Sequence, residues 1–419
     1  MVARTRRHKL GIAFYIPSAF LMGFVLLSPF YVWESGLPQP AHFLGAGLVV
    51  ALLLLRRRFT WDRKVMPWGF LFSIYAAVVN MAVYVTYLDA HSLLSAIYYG
   101  FNFSLFWAVQ QLADAQGRSW LVKQVRLAFV VLLFVQALFF LSGKGRAFGE
   151  NRFMGSFNDP NQLAHWTLWA VIVILAVDYF LQRRLSWWSW VGLLLGFAIL
   201  VASASRSGLL GFSAIVLALV VRVAFRRVRF HRKSGQVWLF SLLSLGVLAG
   251  LLAPVILLGV SNEKVTGFQE KLVEQVQFYV LRVQEGIAKS GENLEERGYD
   301  RLWKFPEYLI LGAGEGASQR WAGETTFLGE IHSTLAGVIF YYGIPGSLLI
   351  VLFIGRIWST LPGLWLRLLL LAPLLYSLGT YNLRNSMFWL GLAILWAVGK
   401  VLREESRGYL KSGHSRIQP

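Results

Sequence analysis

The sequence predicts an all-α, polytopic integral membrane protein of about 12 transmembrane helices, and three observations carry that expectation. Hydrophobic residues fill 56% of the 419 positions and charged residues only 15%. The mean hydropathy is +0.55, too apolar for a water-soluble globule. Apolar runs near the roughly 17–25 residues that cross a bilayer recur along the chain, separated by short charged breaks.

The basic start Arg4-Thr-Arg-Arg-His-Lys9 leads into a first span at 10–33. That run is too long for a signal-peptide core and no small-residue cleavage site follows it, so it is expected to stay in the membrane. A short span at 41–55 precedes the basic cluster 56–64, and spans at 66–88 and 92–112 follow. The fifth span, 123–142, opens into the polar loop Gly143-Lys-Gly-Arg-Ala-Phe-Gly-Glu-Asn-Arg152. The sixth, 161–181, begins at Asn158-Asp-Pro-Asn161, where an acid or amide before a proline reads as a helix start. Spans at 186–203 and 207–224 flank the turn Ser203-Ala-Ser-Arg-Ser-Gly208, and a ninth runs over 236–259.

From about 260 to 331 lies the longest loop. Val265, Phe268, Leu272, Val276 and Tyr279-Val280 recur at helical spacing and predict an amphipathic helix over the mouth of the bundle. A shorter helical stretch holds Arg297, Arg301, Leu302 and Trp303, followed by the glycine run Leu311-Gly-Ala-Gly-Glu-Gly316. That run lacks the strand-to-helix context of a nucleotide-binding loop and reads as a turn. Spans at 332–354, 361–379 and 383–401 complete the set. The expected organisation is thus nine helices in 1–259, a loop domain in 260–331, three helices in 332–401 and a basic tail in 402–419.

Basic residues accumulate in cytoplasmic loops. With both termini inside, 27 of the 40 Lys and Arg and 5 of the 21 acids fall on the inner face, giving +22 there and −3 outside. The pI of 10.3 then reflects topology and contact with membrane lipids, not nucleic-acid binding. The absence of cysteine excludes disulfides, thiol catalysis and thiolate metal sites.

Against that background, polar residues on the outer face stand out. They are Arg146, Arg152, Asn158, Asp159 and Asn161, then Arg206, then Arg297, Arg301, Glu330 and His332, and finally Arg384 within Tyr381-Asn-Leu-Arg-Asn385. An arginine at a membrane rim can bind an anion or snorkel to headgroups. Asp159 reads as an N-cap or as a substrate hydrogen-bonding group. Glu330 reads as an orienting partner of His332 or as a solvated acid, and His165 as a packed polar residue. No outer Asp/Glu cluster has metal-site spacing, so no metal and no cofactor is expected.

Taken in order, Gly155 to Ala164, the Ser205-Arg-Ser-Gly208 turn, Arg301-Leu-Trp303 before a glycine-rich turn, and His332 followed by Gly343-Ile-Pro-Gly346 resemble the O-antigen ligase superfamily. The resemblance covers roughly 145–346, while the first 140 residues and the tail match in hydropathy alone. One departure is Ser333, where that family often has asparagine after the histidine. The resemblance implies a GT-C-like membrane glycosyltransferase of the bacterial inner membrane with a periplasmic site. It would carry a glycan from undecaprenyl diphosphate to a lipid A-core hydroxyl, without a metal and with inversion. Catalytic roles would fall to His332, Arg206 and Arg301, and substrate binding to Arg146, Arg152, Asn158, Asp159, Asn161, Arg297, Glu330 and Arg384. A polymerase of the same superfamily is the alternative. A transporter or flippase is less favoured, because the span interiors are almost free of charge and show no inverted repeat.

Overall fold

A computed structural model describes residues 11–114, 118–149, 152–229 and 294–413, together with residue 277. The expected span at 236–259 and the amphipathic helix over 265–280 lie outside this set, the lone residue 277 excepted. Within it the chain is an all-α, multi-pass membrane protein. The long apolar helices are α1 (Ile12–Leu27), α2 (Pro40–Leu55), α3 (Met66–Tyr87), α4 (Ala90–Ala113), α5 (Arg118–Leu141), α6 (Pro160–Gln182), α7 (Trp187–Ala202) and α8 (Arg206–Arg229). Two single-turn helices, α9 (Arg301–Lys304) and α10 (Tyr308–Leu311), precede α11 (Thr334–Thr360), α12 (Leu364–Tyr376) and α13 (Ser386–Gly413).

Among the described residues, seven of these helices are long and apolar enough to cross a membrane, whereas α1, α2, α7 and α12 are shorter. Sixteen residues rise only about 24 Å at 1.5 Å each, less than the roughly 30 Å hydrocarbon core. The first helix stops at Leu27, short of the expected 33. The Ser28 hydroxyl turns back to the Val25 carbonyl, and Pro29 follows. Conversely, α11 runs on to Thr360 and contains a kink where Gly343 takes φ 58°, two residues before Pro345. Proline removes a backbone donor, and only glycine enters the left-handed region cheaply.

Two helices form the centre. Along α6 the spanning window is 89% buried, and along α13 it is 83%. They meet where Gly391 gives room to the Trp169 indole, which packs edge-on against Phe388 at 5.9 Å. A hydrophobic helix buried on all sides in this way is a core element, with its neighbours taking the lipid-facing positions.

The connections gather at two ends. At one, Asn158 donates to the Trp33 carbonyl (2.6 Å), Thr334 to the Ser377 carbonyl (2.7 Å) and Ser92 to the Glu315 carbonyl (2.7 Å). At the other, Lys400 pairs with Asp114 (2.7 Å), Arg126 with Asp178 (2.5 Å), and Arg183 with Glu405. Between α5 and α6, where the sequence suggested only a loop, β1 (Arg146–Phe148) pairs antiparallel with β2 (Arg152–Gly155). Strands of three and four residues are too short to give an alternation signal.

Candidate functional site at the loop end of the bundle

The β1–β2 hairpin folds over the start of α6. Asp159 is the N-cap, accepting from the backbone N–H of Asn161 (2.6 Å) and Gln162 (3.2 Å), with Pro160 in the first turn. This decides the first role left open for Asp159: its carboxylate occupies the helix start. Asn158 accepts from the Arg146 guanidinium. The Asn161 side-chain carbonyl accepts from Arg152 (3.3 Å) and Ser205 (3.2 Å), and its backbone carbonyl accepts from the Tyr376 hydroxyl (2.6 Å). Five of the residues singled out in the sequence therefore form one hydrogen-bonded patch.

Ser205 joins this patch to α8. Ala204 is left-handed (φ 47°) and buried, and Ser205 accepts from Gly208 N–H (3.2 Å), so the turn delivers Arg206 at the first position of α8. Gly208 lies so close to Ala164 that a Cβ there would stand 3.0 Å from the alanine's. Arg206 is half-buried and forms no ion pair or side-chain hydrogen bond with the described residues. Its neighbours α6 and α8 bring it beside the Asn161 patch.

His332 arrives from the opposite side. Its backbone N–H donates to the Arg297 carbonyl (3.1 Å), and its ring lies 5.0 Å from the Phe327 ring. Partial burial and the nearby Arg297 charge hold the imidazole below its ordinary value of 6.5, with Asp159 opposing them. Thr334 N–H on the Ser377 carbonyl (2.7 Å) and the Tyr376 hydroxyl on the Asn161 carbonyl (2.6 Å) bring the start of α11, just after His332, toward the hairpin patch. The imidazole remains open to solvent, as a proton-transfer group requires.

Arg301 is buried. Its guanidinium donates to the carbonyls of Phe327 (2.5 Å) and Gly329 (2.7 Å) and lies over the Trp321 ring at 5.7 Å. It braces the backbone that carries Phe327, and through that ring it fixes where His332 sits. The structure places it under the site instead of at its mouth.

Glu330 and Arg384 belong to a second cluster. Arg384 bonds Glu315 (2.9 Å), Ser95 (3.0 Å), His91 (2.7 Å) and Glu330. Beneath it, buried Glu315 also accepts from Tyr99 (2.6 Å), Tyr342 (2.5 Å), Tyr381 (2.5 Å) and Ser95 (2.9 Å). Burial pushes the Glu315 carboxyl up, but Arg384 and the three tyrosine hydroxyls outweigh it and hold it below the usual range. Of the two roles left open for Glu330, orienting His332 or standing as a solvated acid, the structure shows neither alone: its carboxylate bonds Arg384 and His91 (3.3 Å).

Neither Glu315 nor His91 was singled out from the sequence. The local signal was an acid between Gly314 and Gly316, both left-handed (φ 67° and 78°), which aims one side chain into the bundle. Ligand atoms of His91, Glu315 and Glu330 lie within 4.8 Å of one another, a trio able to hold a cation. Arg384 already bonds both acids, so the set is a compensated ion cluster whose positive charge is a guanidinium. His165, the remaining candidate, is buried in α6 and accepts from the Trp169 indole (3.0 Å), in keeping with a packed polar residue.

The fold and this polar mouth define a multi-pass membrane protein with a cationic and histidine-bearing site at one end of its bundle. No family model and no curated protein matches the chain.

Proposed function

We propose that the protein is a membrane glycosyltransferase of the O-antigen ligase type. It moves a glycan from undecaprenyl diphosphate to a lipid A-core hydroxyl at the periplasmic face of the bacterial inner membrane, with both termini in the cytoplasm. The observation that carries this reading is that Arg206, which follows Ser205 on Asn161, and His332, held beside Arg297, lie at the same end of the bundle near the start of α6. A lipid diphosphate leaving group needs cations at the membrane surface, and arginine's planar fork meets phosphate oxygens in pairs. Arg206 and Arg297 form no side-chain ion pair with the described residues, which leaves their charge available.

In the reaction, His332 takes the proton of the acceptor hydroxyl as its oxygen attacks the anomeric carbon. The bond from that carbon to the diphosphate oxygen breaks, and the electron pair leaves with the diphosphate into the field of Arg206 and Arg297. A single displacement inverts the anomeric centre. Arg146 and Arg152 hold Asn158 and Asn161 at the rim, where amides can meet sugar hydroxyls, and Arg301 acts through the loop it braces.

The test is a reconstituted assay with purified protein, a polyprenyl-diphosphate-linked glycan and lipid A-core, beside arms lacking lipid A-core and containing EDTA. Glycan on lipid A-core despite the chelator is the expected result. Longer lipid-linked chains formed without lipid A-core would make the enzyme a polymerase. His332→Ala should cost about 10²–10⁴-fold in rate, and Arg206→Ala should also fail while both variants insert normally. Wild-type activity in both would end the site assignment.

A further inference from the structure

A second binding feature lies on the side of the bundle, apart from His332. One face of α3, from Tyr75 through Val79 and Ala82 to Tyr87, forms a groove with Tyr308–Ala313 and Arg320, of about 450 Å³. From Tyr75 to Tyr87, twelve steps of about 1.5 Å carry α3 about 18 Å along it. Its second wall is the α10 segment, which fits into the kink of α11: a Cβ on Gly343 would stand 2.5 Å from the Ile310 carbonyl oxygen. The Leu311 carbonyl is satisfied by the Tyr75 hydroxyl at 2.6 Å, and Ala313 N–H donates to the Phe340 carbonyl at 2.9 Å. The wall is therefore a built element whose backbone groups at Leu311 and Ala313 are hydrogen-bonded within the protein.

Three observations say what covers it. Of the lining residues, Leu311 is 64% exposed and Val78 on α3 61%, with Ile310 and Val85 similarly bare beside the groove. Apolar side chains in that number do not face water on a loop without cause, and beside a spanning helix they face hydrocarbon. At the loop end of the groove sits Arg320, over the rings of Tyr87 (5.2 Å) and Trp321 (4.6 Å). Its N–H groups donate to the carbonyls of Ala313, Ala317, Gly314 and Gly316, which leaves one of the five guanidinium N–H groups unused. Carbonyls do not neutralise a charge, and Arg320 pairs with no acid among the described residues. An apolar trough along a spanning helix that ends in a cation paired with no described acid is complementary to a chain with an anionic head.

We infer that this groove binds an anionic phospholipid, one acyl chain lying along α3 and the phosphate meeting Arg320. The site lies beyond the proposed glycosyl transfer and holds whether or not that reading does. It also has a structural reach, because the carbonyls taken by Arg320 belong to the turn that carries Glu315, so lipid and arginine together tie down the anchor of Arg384.

Native mass spectrometry of the purified full-length protein, titrated with phosphatidylglycerol or phosphatidylcholine of matched chains, tests this. Wild type should retain one phosphatidylglycerol with a preference of about fivefold over phosphatidylcholine, the worth of one cation toward an anionic headgroup. Arg320→Gln should bring the two lipids to parity. Ala82→Trp, which fills the trough and touches none of the arginine's bonds, should lose both, and it decides the matter if Arg320→Gln does not fold. Equal retention of the two lipids by wild type, or wild-type retention by Ala82→Trp, overturns the inference. So does displacement of the phosphatidylglycerol by equimolar polyprenyl phosphate, which would give the groove to a prenyl chain.

Discussion

Arg297 and His332 show how one side chain sets the chemistry of another. The imidazole lies below 6.5 because its charged form is penalised by burial and by Arg297. The unfolded chain therefore takes up that proton first as the pH falls. This contribution to stability is complete above 6.5 and is lost as acid drives the pH down toward the folded value. In the proposed reaction the same shift favours the neutral imidazole that a base requires. Arg297→Gln should move the acid limb of the rate profile to higher pH, and a limb that stays in place would show that Arg297 does not act on His332. His91, at the mouth of another span, carried no family motif. His332 was legible in the sequence because it falls within the run of motifs that resembles the O-antigen ligase superfamily and because imidazole suits proton transfer near neutral pH. Glu315 was not, because its partners Tyr99 and Ser95 lie 216 and 220 residues earlier, and no local pattern reports such a pairing.

At the scale of elements, the helices were legible from apolar run length and their irregularities were not. The stretch Gly343-Ile-Pro-Gly346 was noticed as a motif, yet its kink depends on α10 lying against it, a tertiary fact. Gly343→Ala puts a Cβ at φ 58° and against the Ile310 carbonyl. The backbone conformation alone costs about 1–2 kcal/mol, so the melting temperature in detergent should fall clearly. Gly355→Ala, in the same helix with open space around it, should be neutral or raise stability by up to about 1 kcal/mol. Equal melting of the two variants would show that the kink is not held by α10. The β1–β2 hairpin escaped the sequence reading for the opposite reason, since its strands are so short that only their fit over the α6 start defines them.

For the whole molecule, the alternation of spans was legible because each turn carries its own charge signature, and the connections do gather at two ends. Orientation in the membrane is the remaining expectation, and the chain is suited to a direct test because it contains no cysteine. Ser35→Cys, at the site end, should react with an impermeant maleimide added to spheroplasts, and Lys64→Cys, at the other, only after permeabilisation. The reverse pattern would invert the topology. The ion cluster under Arg384 also constrains how such a chain is made. Helix α4 leaves the ribosome carrying Ser95, Tyr99 and Asn102, whose partners Glu315 and the Arg384 carbonyl are translated 216 to 282 residues later. Until then those groups wait in the bilayer without their final bonds. A chain stopped before residue 384 lacks the arginine that pairs with the buried Glu315 carboxylate, so the last hairpin supplies the final member of a cluster begun in α4.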